Sequence, residues 1–272
     1  MIIDVHTHLR GSDVDGSLRE LLLAMEKSGV DKAGLIPSPS HKVSTVQVAE
    51  IALAHPDKLF AIGAANLSLP PEYMSEQLSL LERMLETRLI RGIKIFTGYD
   101  HVFPNDFEKL GPFYEIARRT GFPVIFHTGD TICYHKVAKL KYAQPLIIDD
   151  VAVEFPDLKI VIAHLGNPWI TDAMAVVQKN KNVYADFSGW LYGTFGVSLT
   201  GSQVSDMTSS EHFTKKFMDA YIYHEGAERI LFGTDSPVSD MASYVNFTQR
   251  LPIPDEEKEK IFWKNAKELF QL

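Results

Sequence analysis

Two histidines one residue apart, His6 and His8, sit in the opening run Asp4-Val-His-Thr-His8. The apolar residues before them, Met1 to Ile3, read as the start of a strand, and alternation along a strand turns both imidazoles to one face. Neutral imidazoles held that way can reach a single metal ion. Three more polar residues close short apolar runs: His127 after Pro123-Val-Ile-Phe126, His164 after Ile160-Val-Ile-Ala163, and Asp235 after Ile230-Leu-Phe-Gly-Thr234. A lone histidine at a strand end is more often a hydrogen-bonded structural residue than a ligand. For four histidines and an aspartate in such positions, the structural reading needs repeated coincidence, and a metal site is the stronger reading.

The elements that must carry these residues alternate along the chain. Strand candidates are Met1–His6, Lys32–Pro37, Leu59–Ala65, Gly92–Phe96, Pro123–His127, Lys159–His164, Asn182–Phe187 and Arg229–Gly233. Each is short and rich in Ile, Val or Phe, as strands buried on both faces are. Amphipathic segments lie between them: Ser17–Ser28, with Ser17 as its candidate cap, Val43–Ala54, Pro71–Glu86, Asp106–Thr120, Pro145–Phe155, Thr171–Asn180 and Ser205–His224. Repeated strand–helix units imply parallel strands and right-handed crossovers. Eight of them in this length predict an α/β fold of the TIM (β/α)8 type, a single domain over residues 1–272, with its active site at the C-terminal ends of the strands. An open doubly wound sheet is the alternative, but no glycine-rich phosphate loop follows the first strand. The stretch Ser188–Ser205, with Trp190, Tyr192 and Phe195, reads equally as a lid or as a surface loop or subunit contact.

Composition excludes other classes. The 272 residues carry a formal net charge of -8, which argues against nucleic acid or an anionic membrane as the main partner. The single cysteine, Cys133, allows no internal disulfide and no cysteine-based zinc site. With neither a signal-like start nor an apolar run of bilayer length, the expectation is a cytoplasmic protein acting on a small molecule. A homodimer is compatible with this size.

The segments Asp4-x-His6-x-His8, His127-Thr-Gly, His164-Leu-Gly and Gly233-Thr-Asp235-x-Pro237 resemble the amidohydrolase superfamily of metal-dependent hydrolases. Within it the chain is similar to the branch that includes aminocarboxymuconate semialdehyde decarboxylase. Gly92-Ile-Lys94, Phe155-Pro-Asp-Leu-Lys, His164-Leu-Gly-Asn-Pro-Trp169 and Asn265-Ala-Lys-Glu-Leu-Phe270 support that likeness across nearly the whole chain. The resemblance implies that His6, His8, His127 and Asp235 hold one divalent metal per chain, with zinc the best match to three histidines and a carboxylate. It implies an activated water at neutral pH, Asp235 as metal ligand and proton acceptor, and His164 as the residue that orients the water or stabilises charge on the substrate oxygen. Lys94 occupies a position resembling the carboxylated lysine of binuclear members. If Lys94 bridged two ions, His127 and His164 would both bind the second. A neutral or paired lysine beneath a single ion is the preferred reading.

The activity expected first is hydrolysis of an amide, ester or lactone by a metal-activated water. The alternative is a lyase using the same site, a non-oxidative decarboxylase or hydratase, with Lys136, Lys139 and Lys141 as candidates for binding a carboxylate. A catalytically inactive barrel serving as a binding protein is the reading from another class, opposed by the presence of all five site residues. By alternation Asp4 should face inward beside His6, as structural support. Tyr99, Phe103, Trp169 and Trp190 would line an aromatic mouth. His41, His55, His101, His135, His212 and His224 read as loop or helix residues, and Cys133 as a bystander.

Overall fold

Nine short strands pair in parallel and in sequential order: β1 (Ile3–Thr7), β2 (Lys32–Leu35), β3 (Leu59–Ala61), β4 (Gly63–Ala64), β5 (Ile93–Ile95), β6 (Val124–Phe126), β7 (Ile160–Ile162), β8 (Val183–Asp186) and β9 (Ile230–Leu231). The computed structural model in which they are seen describes residues 1–38, 42–131, 138–190 and 211–272, the first two of the last range as backbone only. The expected strand over 59–65 is divided at Ile62. The amide of Ile62 donates to the Leu35 carbonyl at 2.9 Å and that of Gly63 to Gly92 at 3.0 Å, so this run passes from β2 to β5 and its two halves form one stave. The ring closes between β1 and the segment after β9. Val5 N–H donates to Phe232 O at 3.0 Å, Asp235 N–H to His6 O at 2.8 Å, and Thr7 bridges Ser236 in parallel. The result is an eight-staved TIM barrel.

The helices α1 (Val14–Ser28), α2 (Thr45–Ala54), α3 (Met74–Glu86), α4 (Thr97–Asp100), α5 (Phe107–Thr120), α6 (Ile148–Glu154), α7 (Ile170–Lys179) and α8 (Glu211–Tyr223) fall on or beside the expected segments, α4 excepted. Three more follow the last strand: α9 (Met241–Arg250), α10 (Asp255–Glu259) and α11 (Asn265–Leu269). The cap of α1 is Asp13, which accepts from Gly16 N. Ser17 is instead buried inside the helix and accepts the amide of Arg10. Gly121 ends α5 with φ 74, a left-handed turn that glycine adopts without a Cβ penalty. Among the described residues, no helix is long and apolar enough to cross a membrane.

Both faces of the strands are buried, which is why they read as unbroken apolar runs. Ile93, Ile95, Val124, Phe126, Ile160 and Ile162 belong to the layer beneath the helices. The alternate residues Phe60, Ile62, Ile125, Val161 and Leu231 fill the interior, where Leu269 and Phe270 pack onto them from the C-terminal end of the chain. Ile3 and Val5 join that interior cluster, although simple alternation would then point His6 away from it. The pairing of β1 with β2 resolves this. Asp4 stands opposite Ala33 and Thr7 opposite Leu35, so β1 carries one extra residue between them. Such a bulge resets the alternation, and Val5 and His6 both reach the interior. The expected parity of Asp4 with His6 therefore fails. Asp4 is fully buried and tied to Thr234, accepting from its hydroxyl at 2.6 Å and its amide at 3.1 Å.

Candidate metal centre and its pocket

β1 and the turn after β9 deliver the first cluster. His6 Nε2 lies 3.9 Å and His8 Nε2 3.2 Å from Asp235 Oδ1. The other ring nitrogen of each histidine is already engaged. His8 Nδ1 is 2.9 Å from the Ile36 carbonyl, and His6 Nδ1 is 3.1 Å from Asp186 Oδ2. A carbonyl or carboxylate can only accept, so both Nδ1 atoms carry the proton and both Nε2 atoms present lone pairs. Two acceptors at 3.2 Å repel unless a proton or a cation lies between them. The donor set therefore fits a divalent metal: two imidazole lone pairs and a carboxylate oxygen converging, with the outer nitrogens held by acceptors as in other histidine metal sites.

β6 and β7 deliver the second cluster. His127 Nε2 lies 3.1 Å from Asp130 O and His164 Nδ1 3.1 Å from Ser188 O. By the same reasoning His127 Nδ1 and His164 Nε2 are the lone-pair atoms, and they face each other at 3.2 Å. The His164 ring is 4.8 Å from both the His6 and the His127 rings. All the expected site residues thus share one chamber. The trio of His6, His8 and Asp235 forms a compact donor group, and His127 is paired with His164 rather than with that trio.

Two further buried residues hold these groups. Lys94 is fully buried, with Nζ 3.3 Å from His6 Nε2 and 5.5 Å from the Phe96 ring centre. Burial lowers its pKa to about 8. Asp186, at the end of β8, was not singled out by the sequence, although its position at a strand end is the one that marked the histidines. Its Oδ2 takes His6 Nδ1, and its Oδ1 accepts from His164 N at 3.1 Å, Ser188 N at 3.0 Å and the Ser188 hydroxyl. Burial alone would raise its pKa, but His6, and after it His164 and Lys94, hold the carboxyl well below the usual range. His6, His164 and Asp186 also converge. There, however, the Ser188 hydroxyl sits 3.1 Å from His6 Nδ1 and 2.9 Å from His164 Nδ1, so hydrogen bonds fill the space between them.

Burial and neighbouring charge keep His6, His127 and His164 neutral. His6 falls to about 3 through desolvation and then through Lys94. His127 and His164 shift down from the same leading cause. Burial raises Asp4 to about 7 against the pull of its hydrogen bonds to Thr234 and His6. Burial opposes the ionisation of Asp235, yet its carboxyl lies below its ordinary value, chiefly because of the His8 ring 3.2 Å away. Two of the site residues stand in left-handed backbone, His164 at φ 61 and Asp235 at φ 67. Such strain costs about 1–3 kcal/mol per residue and persists only where the surroundings impose it. Here Asp186 takes the amide of His164 and the His6 carbonyl takes that of Asp235.

Above the clusters is a cavity of about 190 Å³. Leu9, Phe96, Tyr99, Pro237 and Val238 give it apolar walls, and His8, His127, His164 and Asp235 form its polar side. Gly189 keeps the centre open, since a Cβ there would lie 3.1 Å from His164 Nδ1 and 3.3 Å from Asp235 Oδ2. An apolar cavity of about 150 Å³ accepts benzene, so this one is sized for a single substituted ring. Of the residues expected at the mouth, Tyr99 lines the cavity. Phe103 does not and packs 4.4 Å from Tyr142. Trp169 also lies off it, as the residue preceding α7. Trp190 is buried, donating from Nε1 to His164 O at 2.8 Å. Lys141 sits over Tyr142 at 4.8 Å, and Lys139 is not among the lining residues. Arg10, which the sequence did not single out, lines the mouth. His224 is buried just beyond α8. Lys136, Cys133, His135, His41, the side chain of His212 and most of the 188–205 stretch lie outside the described residues.

The family model described as amidohydrolase matches residues 3–272. A curated relative, gamma-resorcylate decarboxylase from Polaromonas sp. (strain JS666 / ATCC BAA-500), is 30% identical over 132 residues, which cover 44% of this chain and 36% of that protein. The chain thus spans about a third of the curated relative it matches. Among solved structures, an uncharacterised TIM-barrel protein from Bordetella bronchiseptica superposes with a TM-score of 0.74 at 24% identity, covering 99% of this chain and 98% of the other. A dihydroxybenzoic acid decarboxylase from Polaromonas sp. JS666, solved with bound manganese and the inhibitor 2-nitroresorcinol, superposes with a TM-score of 0.66 at 17% identity, covering 100% and 97%.

Proposed function

The chain belongs to the amidohydrolase family, and from that premise we propose that it is a metal-dependent carbon–carbon lyase, a non-oxidative decarboxylase of a small aromatic carboxylate. The observation that carries the metal is the meeting of the His8 Nε2 lone pair and Asp235 Oδ1 at 3.2 Å. The choice of decarboxylation over hydrolysis rests on the named activity of the relative gamma-resorcylate decarboxylase and on a cavity whose apolar walls suit one ring.

His6, His8 and Asp235 would hold the ion, and His127 would either complete that set or share a second ion with His164. Manganese, present in a structural relative, and zinc are both compatible with such donors. A bound divalent ion supplies Lewis acidity, drawing on a substrate oxygen as negative charge builds up. Phe96, Tyr99 and Val238 would hold the ring and exclude water from it. Departure of carbon dioxide leaves an electron pair on the ring carbon, which must take up one proton. Each turnover draws that proton from solvent, and His164, which lines the cavity, presents its Nε2 lone pair there. We assign His164 Nε2 to take up the solvent proton for this step and hand it to the carbon, which returns the ring to its neutral form.

Hydrolysis is the second reading. It is favoured by Asp235, which lines the cavity as a carboxylate held in its ionised form and can accept a proton from an attacking water.

The test is to load the purified protein with manganese or zinc and offer it hydroxybenzoates labelled with carbon-13 at the carboxylate, alongside aryl esters and lactones in oxygen-18 water. Labelled carbon dioxide without oxygen incorporation supports the lyase. Oxygen-18 in an acid product, with no carbon dioxide, supports the hydrolase and overturns the lyase. No turnover, together with no retained metal, returns the inactive binding barrel.

A further inference from the structure

We infer that Trp190 is a positioning residue: its indole N–H holds the strained backbone of His164, and Tyr244 of α9 holds Trp190, so that a helix outside the ring of strands sets the aim of the imidazole. The inference rests on the role proposed for His164 and adds what keeps that side chain in place.

His164 and Leu165 both stand in left-handed backbone, at φ 61 and φ 46. That region is uncommon for residues other than glycine and persists only where the surroundings impose it. The amide of His164 donates to Asp186 Oδ1 at 3.1 Å. Its carbonyl accepts twice, from Asn167 N at 3.0 Å and from Trp190 Nε1 at 2.8 Å. Asn167 belongs to the same turn and moves with it. Trp190 comes from the segment after β8 and grips the carbonyl from outside the turn. The same segment holds the ring, since the carbonyl and hydroxyl of Ser188 lie 3.1 Å and 2.9 Å from His164 Nδ1. Residues 188–190 therefore fix both the imidazole and the backbone that carries it.

The segment is itself fixed. Ser188 N donates to Asp186 Oδ1, Gly189 N to Thr234 O at 3.3 Å, and Trp190 N to the Tyr244 hydroxyl, so each of these amides is paired, as burial requires. Trp190 and Tyr244 are both buried. Phe187 lies between their rings, 6.2 Å from Trp190 and stacked on Tyr244 at 6.0 Å. An indole suits the task. It fills an apolar space, and its one polar atom can only donate. A histidine or glutamine there could also accept, and would not be bound to face a carbonyl.

The test compares Trp190→Phe, which keeps an aromatic ring and loses the donor, with Tyr244→Phe, which loses one oxygen. Circular dichroism checks that both remain folded. In the metal-loaded Trp190→Phe protein, kcat for whichever acid or ester the unaltered protein turns over should fall about 10–100-fold, because misplacing a reacting group by about 1 Å costs on the order of 10²-fold. KM should change by less than about twofold, since the ring-binding walls are untouched. Tyr244→Phe should show a smaller loss of the same kind, and the double variant should lose no more than Trp190→Phe alone, because Tyr244 acts through Trp190. Nitrogen-15 spectra of the histidine rings, with His164 assigned by its absence in His164→Gln, give a readout independent of turnover. Trp190→Phe should shift or broaden the His164 signals and leave those of His8 in place. A folded Trp190→Phe protein with unchanged His164 signals overturns the inference, whatever reaction the site performs, as do losses in the two single variants that multiply in the double. Absence of carbon dioxide release with the His164 signals still displaced in Trp190→Phe would overturn the lyase reading alone.

Discussion

Replacing Asp186 by asparagine tests the view that a buried carboxylate, itself no metal ligand, sets the state of the centre. Asn preserves shape and removes one acceptor oxygen. Oδ1 of Asp186 receives the amides of His164 and Ser188 and the Ser188 hydroxyl, so the amide oxygen of Asn must stay on that side. Its NH2 group then takes the place of Oδ2, 3.1 Å from His6 Nδ1. Two donors would face each other, and His6 can relieve this only by moving its proton to Nε2, the atom directed at Asp235. That removes one metal-binding lone pair. Changes to such outer partners typically cost about 10–100-fold in metal affinity, or about 1.4–2.8 kcal/mol. The lost charge-assisted bond adds about 1.5–3 kcal/mol of instability. Competition titration of zinc or manganese against a chelator reads the affinity. Nitrogen-15 spectra of the histidine rings read the tautomer, and circular dichroism confirms that the barrel is retained. A folded Asp186→Asn protein with unchanged metal affinity and His6 still protonated at Nδ1 would refute the reasoning.

Lys94→Met should leave one metal equivalent per chain by elemental analysis, because a lysine beneath one ion is not a ligand; a fall from two equivalents to one would show that Lys94 bridges two. His224 is 6% exposed, no partner is found for either of its ring nitrogens among the described residues, and burial together with Arg229 lowers its pKa to about 4. The unfolded chain gains a proton at about 6.5 that the folded one refuses. Stability should therefore be level above that pH and decline as pH falls toward about 4, by about 1–2 kcal/mol after allowance for partial solvent access. Urea midpoints at pH 7 and 4.5 should show a smaller drop in His224→Gln, and an identical drop would exclude this histidine. Phe187 is fully buried, with its ring centre 5.3 Å from that of Phe217 and 6.0 Å from that of Tyr244. Phe187→Ala should cost about 3–5 kcal/mol in urea unfolding, and a loss under 1 kcal/mol would mean that the cavity collapses.

The order of elements was legible because parallel barrel strands are buried on both faces and announce themselves as short apolar runs. Ile160-Val-Ile-Ala-His164 carries both the strand and the residue it delivers. Val183-Tyr-Ala-Asp186 carries the same signal, and the rule that found the histidines applied to a carboxylate would have found Asp186. Other features left no local trace. The extra residue in β1 lies between Asp4 and Thr7, where neither glycine nor proline marks it, because it arises from the fit of β1 to β2 and to the turn after β9.

By itself, then, the sequence determined the repeat of strand and helix, the class of barrel, and the placement of His6, His8, His127, His164 and Asp235 at strand ends, since those depend on local periodicity. The tertiary structure decided which of their atoms meet. Whether an imidazole offers Nε2 or Nδ1 depends on the acceptor behind it, and those acceptors come from elsewhere in the chain: Ile36 for His8, Asp186 for His6, Ser188 for His164. It also decided that Arg10, and not Lys139 or Lys141, stands at the mouth. Proton positions and charge pairing are set by neighbours within about 4 Å, and in a closed barrel those neighbours are brought together by ring closure rather than by proximity along the chain.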